Sequence, residues 1–272
     1  TKARANAWAK RLLPSMRKAW LGDPDGRCPA ALPCLSALAF AKKGPQLLAM
    51  FAVGGPKAWR LRHFAAPFVA RRDGPDGAVA FAEASTAKSH AEQKDRAAFC
   101  ERTLIAAGRQ DEAWARYAVA AHQTNTHRHT FDALRQAWPK KAPGQVLDAL
   151  LAAHPGEEGK LFATARAMGD PDRATALAEA SPGDPKVVLH AAEEEAAAHP
   201  TRAERWLFLA LSWLADGKAY KVTRPIVEQA CRLADALGAQ TGERERLRAR
   251  LAALAAEART AGVHNWVALY LE

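Results

Sequence analysis

Apolar residues recur along most of the chain at intervals of three and four positions, the spacing that places them on one face of an α-helix. Alternating runs rich in Val, Ile or Thr, the pattern of a half-buried β-strand, are missing. Short Gly, Pro and Asp turns divide the helical segments, which predicts about a dozen helices. The pattern therefore predicts an all-α fold of antiparallel helix hairpins, stacked as a tetratricopeptide-like α-solenoid.

A degenerate internal repeat favours such stacking. Gly108, Ala113 and Tyr117 have the spacing of the second helix in a tetratricopeptide unit, where small residues allow close helix approach and the aromatic ring fills the groove. Frames that start at Gly169 and Gly217 repeat this spacing with smaller or aliphatic residues. Large aromatic residues are then expected to pack in the core or between repeats rather than bind a ligand. They are Trp138, Trp206, Phe208 and Trp213.

Three further stretches carry a resemblance to a known family. They are 155–163 (PGEEGKLFA), 181–185 (SPGDP), and 211–214 (LSWL) with Gly217 and Tyr220. Over roughly 98–240 the chain resembles an uncharacterised family of bacterial all-helical proteins with tetratricopeptide-like repeats. The resemblance implies a helical fold and a bacterial source, and it carries over no catalytic residue.

Composition agrees with a folded globular chain. The 272 residues are 49% hydrophobic and 25% charged, with alanine as the most abundant residue. No apolar run approaches the roughly 18 residues of a membrane span, so no membrane partner is expected. The four cysteines form no C-x-x-C pair, which predicts free thiols, a reducing compartment and a cytoplasmic location.

The positive charge is concentrated at one end. The net charge is +10, yet residues 1–73 alone hold 14 basic and three acidic residues, a net charge of +11. The remaining residues have a net charge of −1. The turn at 71–77 coincides with this change and predicts two regions, a basic helical region at 1–75 and a tetratricopeptide-like region at 76–272. A local excess of this kind favours an acidic partner.

The first helix, predicted between Arg4 and Trp20, separates charged and apolar positions. Its predicted apolar stripe consists of Trp8, Leu12, Met16 and Ala19. Arg4, Arg11 and Lys18 repeat every seven residues on another face, a row about 20 Å long that could follow several phosphates.

These features predict a non-enzymatic scaffold that binds DNA or RNA backbone with little sequence preference and joins other protein subunits, without a cofactor. The alternative is a protein adaptor whose basic region docks on an acidic partner without nucleic acid. The predicted phosphate contacts are Arg4, Lys10, Arg11, Arg17, Lys18, Lys42, Lys43, Lys57, Arg60, Arg62, Arg71 and Arg72. Trp8, Trp20 and Trp59 could add stacking on single strands, although helical spacing favours a core role for Trp8.

A histidine cluster is the one candidate for metal chemistry. His122, His127 and His129 lie close in sequence, as in a metal site or an acid–base pair, and make a metal-dependent hydrolase a third hypothesis. The intervening 124–126 instead indicates a loop with an N-cap, which favours exposed loop histidines and no metal. Phosphate-loop, dinucleotide, serine-hydrolase and zinc-protease motifs are missing, which lowers the expectation of an enzyme.

Overall fold

The computed structural model describes residues 1–23, 28–52, 55–216 and 223–260, with side chains to Glu257. This part of the chain is all-α, as the sequence predicts, with fifteen α-helices, one 3₁₀ helix and no strand beyond a single bridge between Ala58 and Thr86. The α-helices are α1 (Lys2–Gly22), α2 (Ala31–Phe40), α3 (Gly44–Ala52), α4 (Trp59–Arg62), α5 (Ala66–Glu83), α6 (His90–Ala106), α7 (Gln110–His122), α8 (His127–Ala137), α9 (Pro143–Ala153), α10 (Phe162–Ala167), α11 (Pro171–Ala180), α12 (Pro185–Glu195), α13 (Pro200–Ala215), α14 (Arg224–Thr241) and α15 (Arg244–Thr260). The 3₁₀ helix, Glu158–Leu161, lies between α9 and α10.

The chain divides into two compact units. The first unit is Thr1–Gln123, and the second begins at Thr124. The sequence places its boundary near residue 75 instead, where the charge changes. That position lies inside the first unit because α5 packs on α6, and α6 packs on α7.

The turn predicted at 71–77 forms part of α5. Gly74 adopts φ 75° and ψ −174°, which kinks the helix, and Pro75 starts the segment that follows. Proline suits the first turn of a helix because its missing N–H has no partner to lose there. Ala78, Val79 and Ala82 on this second segment are buried. The turn signals are therefore real, but they mark a kink and not a linker.

The basic helices of the first unit rest on an apolar core. Met16 and Trp20 of α1 pack with Leu35 of α2 and with Leu47 and Phe51 of α3, all of them buried. The Trp20 and Phe51 ring centroids lie 5.9 Å apart. Fully burying side chains of this size contributes about 1.5–3 kcal/mol each. One face of α1 is thereby anchored, and the opposite face is left to solvent.

Two of the predicted repeat frames share one geometry. Gly108 and Gly169 both have positive φ, 78° and 80°, and each follows the last residues of a helix. The fifth residue after each glycine, Ala113 or Ala174, is fully buried, so the second helix of each hairpin approaches its partner closely. Tyr117 is also buried, as predicted. Stacking of the hairpins into a solenoid stays a prediction, and Gly217 of the third frame lies outside the described residues.

In the second unit, α10 packs on α11, α12 on α13, and α14 on α15. Trp206 of α13 is fully buried, and its indole Nε1 donates to Thr175 Oγ1 at 2.7 Å. Phe162 meets the Trp206 ring edge-on with centroids 5.0 Å apart. Phe208 and Trp213 are buried as well. The packing role predicted for Trp206, Phe208 and Trp213 is therefore confirmed, whereas Trp138, at the C-terminal cap of α8, is only partly buried.

Candidate nucleic-acid interface

Helix α1 presents a basic face opposite its buried face. Thr1 caps the helix, its hydroxyl accepting from the Arg4 backbone N–H at 3.3 Å. At about 100° per residue, Arg4, Arg11 and Lys18 point away from the buried side chains of Ala9 and Met16. Lys10 and Arg17 flank that row, and all five cations are exposed.

No acidic side chain balances this face from within the helix. Residues 2–22 contain no Asp or Glu, and 26–72 contain none either. Among the described residues, none of these five cations forms an ion pair. Cations later in the first unit differ, since Arg109 pairs with Asp76 and Glu112. The positive charges on α1 are therefore not balanced by ion pairs, whereas the charge of Arg109 is balanced by carboxylates.

Four other predicted phosphate contacts lie outside α1. Lys42 and Lys43 lie in the turn between α2 and α3, and Lys42 adopts φ 57° there. Lys57 precedes α4, and Arg60 lies within it. All four side chains are exposed. They add to the charge of the first unit, but they do not extend the straight row on α1.

Three of the predicted arginines already have partners in the protein. Arg62 Nη1 donates to the Phe81 carbonyl oxygen at 3.0 Å, and its guanidinium lies 4.4 Å from the Phe81 ring centroid. Burial lowers the pKa of Arg62. Arg71 lies over the Phe68 ring at 4.5 Å, and Arg72 binds Asp73 through two hydrogen bonds of 2.7 Å. These contacts give Arg62 a structural role and balance the charge of Arg72.

The burial of the three tryptophans considered for stacking differs from what helical spacing predicts. Trp8, expected in the core, is 58% exposed, whereas Trp20 and Trp59 are buried. The core stripe of α1 runs through Ala9, not Trp8, because the helix turns its Ala9 side toward α2. Trp59 Nε1 donates to Asp95 Oδ2 at 2.8 Å. Of the three tryptophans considered for stacking, only Trp8 has an accessible ring.

The three histidines do not meet at one centre. His122 Nε2 lies 3.0 and 3.1 Å from the two carboxylate oxygens of buried Glu101, in the first unit. His127 belongs to the second unit and packs edge-on against His154 at 4.7 Å. His129 is exposed. Within the described ranges, no three His, Cys, Asp or Glu side chains are grouped to hold a metal ion.

Sequence reasoning missed the partners of these histidines. Glu101 lies 21 residues before His122, and Glu157 lies 30 residues after His127, with 3.6 Å between Nε2 and Oε2. No local spacing connects such pairs, because helix packing brings them together. Burial is the main cause that lowers the pKa of His127, with a smaller effect from His154.

The net charge of the chain lies within the first unit. From the sequence, residues 1–123 carry a net charge of +10, and residues 124–272 are neutral. In the part of the chain described, no helix combines the length and apolarity needed to cross a membrane.

No family model matches the chain, and neither a curated protein nor a solved structure does. The resemblance over roughly 98–240 stays a prediction, and function is inferred from the residues themselves.

Proposed function

We propose that this protein is a non-enzymatic helical scaffold that binds nucleic acid through the basic face of α1, within a larger protein assembly in the cytoplasm. The observation that carries the proposal is the row of Arg4, Arg11 and Lys18, exposed on an anchored helix that has no acidic residue. A row of cations of this length can neutralise several phosphates along a nucleic-acid backbone.

Affinity in this proposal comes from release of counterions condensed on the nucleic acid. Each phosphate neutralised contributes about −0.9 to the slope of log affinity against log salt on duplex DNA. The five predicted phosphate contacts on α1, which are Arg4, Lys10, Arg11, Arg17 and Lys18, would give a slope near −4.5 if each neutralised one phosphate. Lysine and arginine contacts to phosphate carry no base information, so we expect little sequence preference.

A protein partner is the second candidate. Large apolar side chains are exposed in the first unit as well, with Trp8 at 58% beside the cations of α1, and Leu32 at 48% and Phe40 at 62% on α2. Aromatic and aliphatic side chains beside cations also suit an acidic protein surface. This adaptor would form a stoichiometric protein complex and bind no oligonucleotide.

The test is a triple charge reversal of Arg4, Arg11 and Lys18 to Glu in the full chain, assayed on oligonucleotides between about 50 and 200 mM salt. We expect the variant to lose most affinity and to show a shallower salt slope. The matched control reverses Arg135, Lys140 and Lys186, which are exposed in the neutral second unit. Both variants change the net charge equally.

If the control loses as much affinity as the α1 variant, net charge alone drives binding and the assignment to α1 is wrong. If the wild-type protein binds no oligonucleotide at the lowest salt, the adaptor replaces the scaffold. Circular dichroism of both variants verifies that the helices are retained.

A further inference from the structure

A groove of about 690 Å³ lies between α5 and α6 on the surface of the first unit. Each helix lines it with residues three and four positions apart, which share one helix face. No residue of α1 lines this groove, so it is a separate site from the basic face described above. The lining residues that matter below are Pro67, Ala70 and Arg71 on α5, and Phe99, Arg102 and Ala106 on α6.

Apart from its arginines, the groove is lined by apolar residues and one threonine. The Thr103 hydroxyl donates to the Phe99 carbonyl oxygen at 2.8 Å, so it needs no further partner. The Phe99 ring packs on the buried Trp59 ring, with centroids 5.5 Å apart, and is held in place by this contact. Ala106 is exposed and small, which leaves room for a partner to approach closely. The groove is therefore a pre-formed apolar surface.

Arg71 and Arg102 place one cation on each side of this apolar surface. Both are exposed, and within the described residues neither forms an ion pair. The acidic residues that follow Arg71 in sequence, Asp73 and Asp76, are each paired with another arginine. No Asp or Glu lines the groove. The two cations are therefore available to carboxylates from outside the protein.

We propose that the groove between α5 and α6 docks an acidic amphipathic helix of a partner protein. Apolar side chains of that helix would cover the apolar lining, and its carboxylates would pair with Arg71 and Arg102. Arginine and aromatic residues are typical anchors of protein interfaces, and charge complementarity selects an acidic partner. A nucleic-acid backbone would pair with the arginines but leave the apolar lining uncovered.

The architecture of the first unit favours a helix over an extended peptide. An extended peptide docks by adding a strand to the edge of a sheet, whereas an amphipathic helix lays its apolar face in a groove. The described part of the unit has no strand beyond the single bridge between Ala58 and Thr86. A groove between two packed helices matches the second mode.

The probe is a fluorescein-labelled peptide of about 18 residues, or five helical turns, with Leu at every third or fourth position and Glu on the flanking faces. Fluorescence anisotropy measures its binding to the full chain. We expect R71E/R102E to weaken the affinity about tenfold or more. The matched control R135E/K140E changes the net charge equally at exposed positions of the second unit and should keep the wild-type affinity. A peptide with Gln in place of Glu should bind the wild type more weakly.

Ala106→Trp tests the groove without changing any charge. The indole would occupy the space between the two helices, so we expect the acidic peptide to bind about tenfold more weakly although both arginines remain. Ala91→Trp, at an exposed position near the start of α6, is the control and should bind as the wild type does. Circular dichroism verifies that all variants keep their helices.

Equal peptide affinity in the wild type and in R71E/R102E would overturn the proposal, as would no binding to the wild type at about 1 mM peptide. Loss of peptide affinity on reversal of Arg4, Arg11 and Lys18, with R71E/R102E unaffected, would assign the peptide to α1 instead. If sedimentation shows a dimer that Ala106→Trp dissociates, a second copy of this chain occupies the groove and the partner helix is wrong.

An oligonucleotide assay separates this groove from the nucleic-acid surface. R71E/R102E should bind oligonucleotides as R135E/K140E does, since nucleic acid is assigned to α1. A larger loss in R71E/R102E would make the groove part of the nucleic-acid surface and overturn the separate protein site. A failure of α1 to bind nucleic acid leaves the peptide assay interpretable, because the two measurements use different probes.

Discussion

Trp8 is the side chain whose environment differs most from the expectation based on spacing. It lies between Arg4 and Arg11 along the exposed side of α1, and 58% of its surface is open. An accessible indole beside guanidinium groups can stack on an unpaired base, whereas duplex DNA hides its base faces. The residue therefore bears on which nucleic acid the basic face prefers.

Replacing Trp8 with alanine should weaken binding to single strands by about 1–3 kcal/mol, the usual contribution of one stacked base. Duplex affinity and the salt slope should stay unchanged, because the cations are intact. Fluorescence anisotropy with a single strand and a duplex of equal length measures both. Trp8→Phe, which keeps an aromatic ring, is the control, and an equal loss on duplex would contradict stacking.

Trp206 illustrates a buried polar contact within an apolar core. Its Nε1 donates to Thr175 Oγ1, while the Thr175 hydroxyl donates to the Pro171 carbonyl oxygen at 2.8 Å. Trp206→Phe removes one hydrogen bond and some packing, and we expect a loss of about 1–3 kcal/mol in the free energy of unfolding.

Urea denaturation of Trp206→Phe, Thr175→Val and the double variant measures the coupling directly. If the hydrogen bond contributes to stability, the sum of the two single-variant losses in the free energy of unfolding should exceed the loss measured for the double variant. Strict additivity would show that only ring packing contributes.

Among the elements, α13 and α15 are joined by an ion-pair cluster around Glu204. Arg246 Nη2 approaches Glu204 Oε2 at 2.5 Å, and Arg250 Nη1 approaches Oε1 at 3.0 Å. Hydrogen bonding from Arg246 is the main cause that holds the pKa of Glu204 below its ordinary value of 4.5. The charges of 243–250 alternate along the sequence, but no local spacing connects them with Glu204 on α13.

This lowered pKa makes a prediction about acid stability. Because the folded state holds the carboxylate ionised, its contribution is present above pH 4.5 and is lost as pH falls through the lower folded pKa. Glu204→Gln should reduce stability at neutral pH and flatten the acid limb below about pH 4.5. Denaturation curves across pH, with exposed Glu245→Gln as control, provide the measurement.

At the level of the whole chain, charge and compactness divide at different places. The basic stretch ends near residue 73, whereas the compact units separate between Gln123 and Thr124. A truncation at Gly74 would cut α5 at its kink and expose buried Ala78 and Val79. The natural division for experiments is therefore 1–123 and 124–272.

We expect the fragment 1–123 to retain most oligonucleotide affinity and its salt slope, because it carries the entire net charge of +10. The fragment 124–272 should show no such affinity. Circular dichroism first establishes that each fragment is helical, and anisotropy then compares them with the full chain. Binding confined to the second fragment would contradict the assignment to α1.

The sequence by itself determined the helical class and the charge asymmetry, because apolar periodicity and composition are local properties. It also predicted a loop and an N-cap at 124–126, where Thr126 caps α8, and it predicted the free thiols of the four cysteines. Burial raises the pKa of Cys34 and of Cys100 to about 11. The N-cap depends on residues that are close in sequence, and the free thiols were predicted from the absence of a C-x-x-C pair.

Only the tertiary structure decided which side of α1 faces α2, and hence that Trp8 is exposed and Trp20 buried. It also joined Glu101 to His122 and Gly159 to Gly183. The physical reason is that helix periodicity defines a stripe about 100° wide, so a residue at its edge can lie on either side of the buried boundary. Packing of distant helices settles that boundary and brings residues that are distant in sequence into contact.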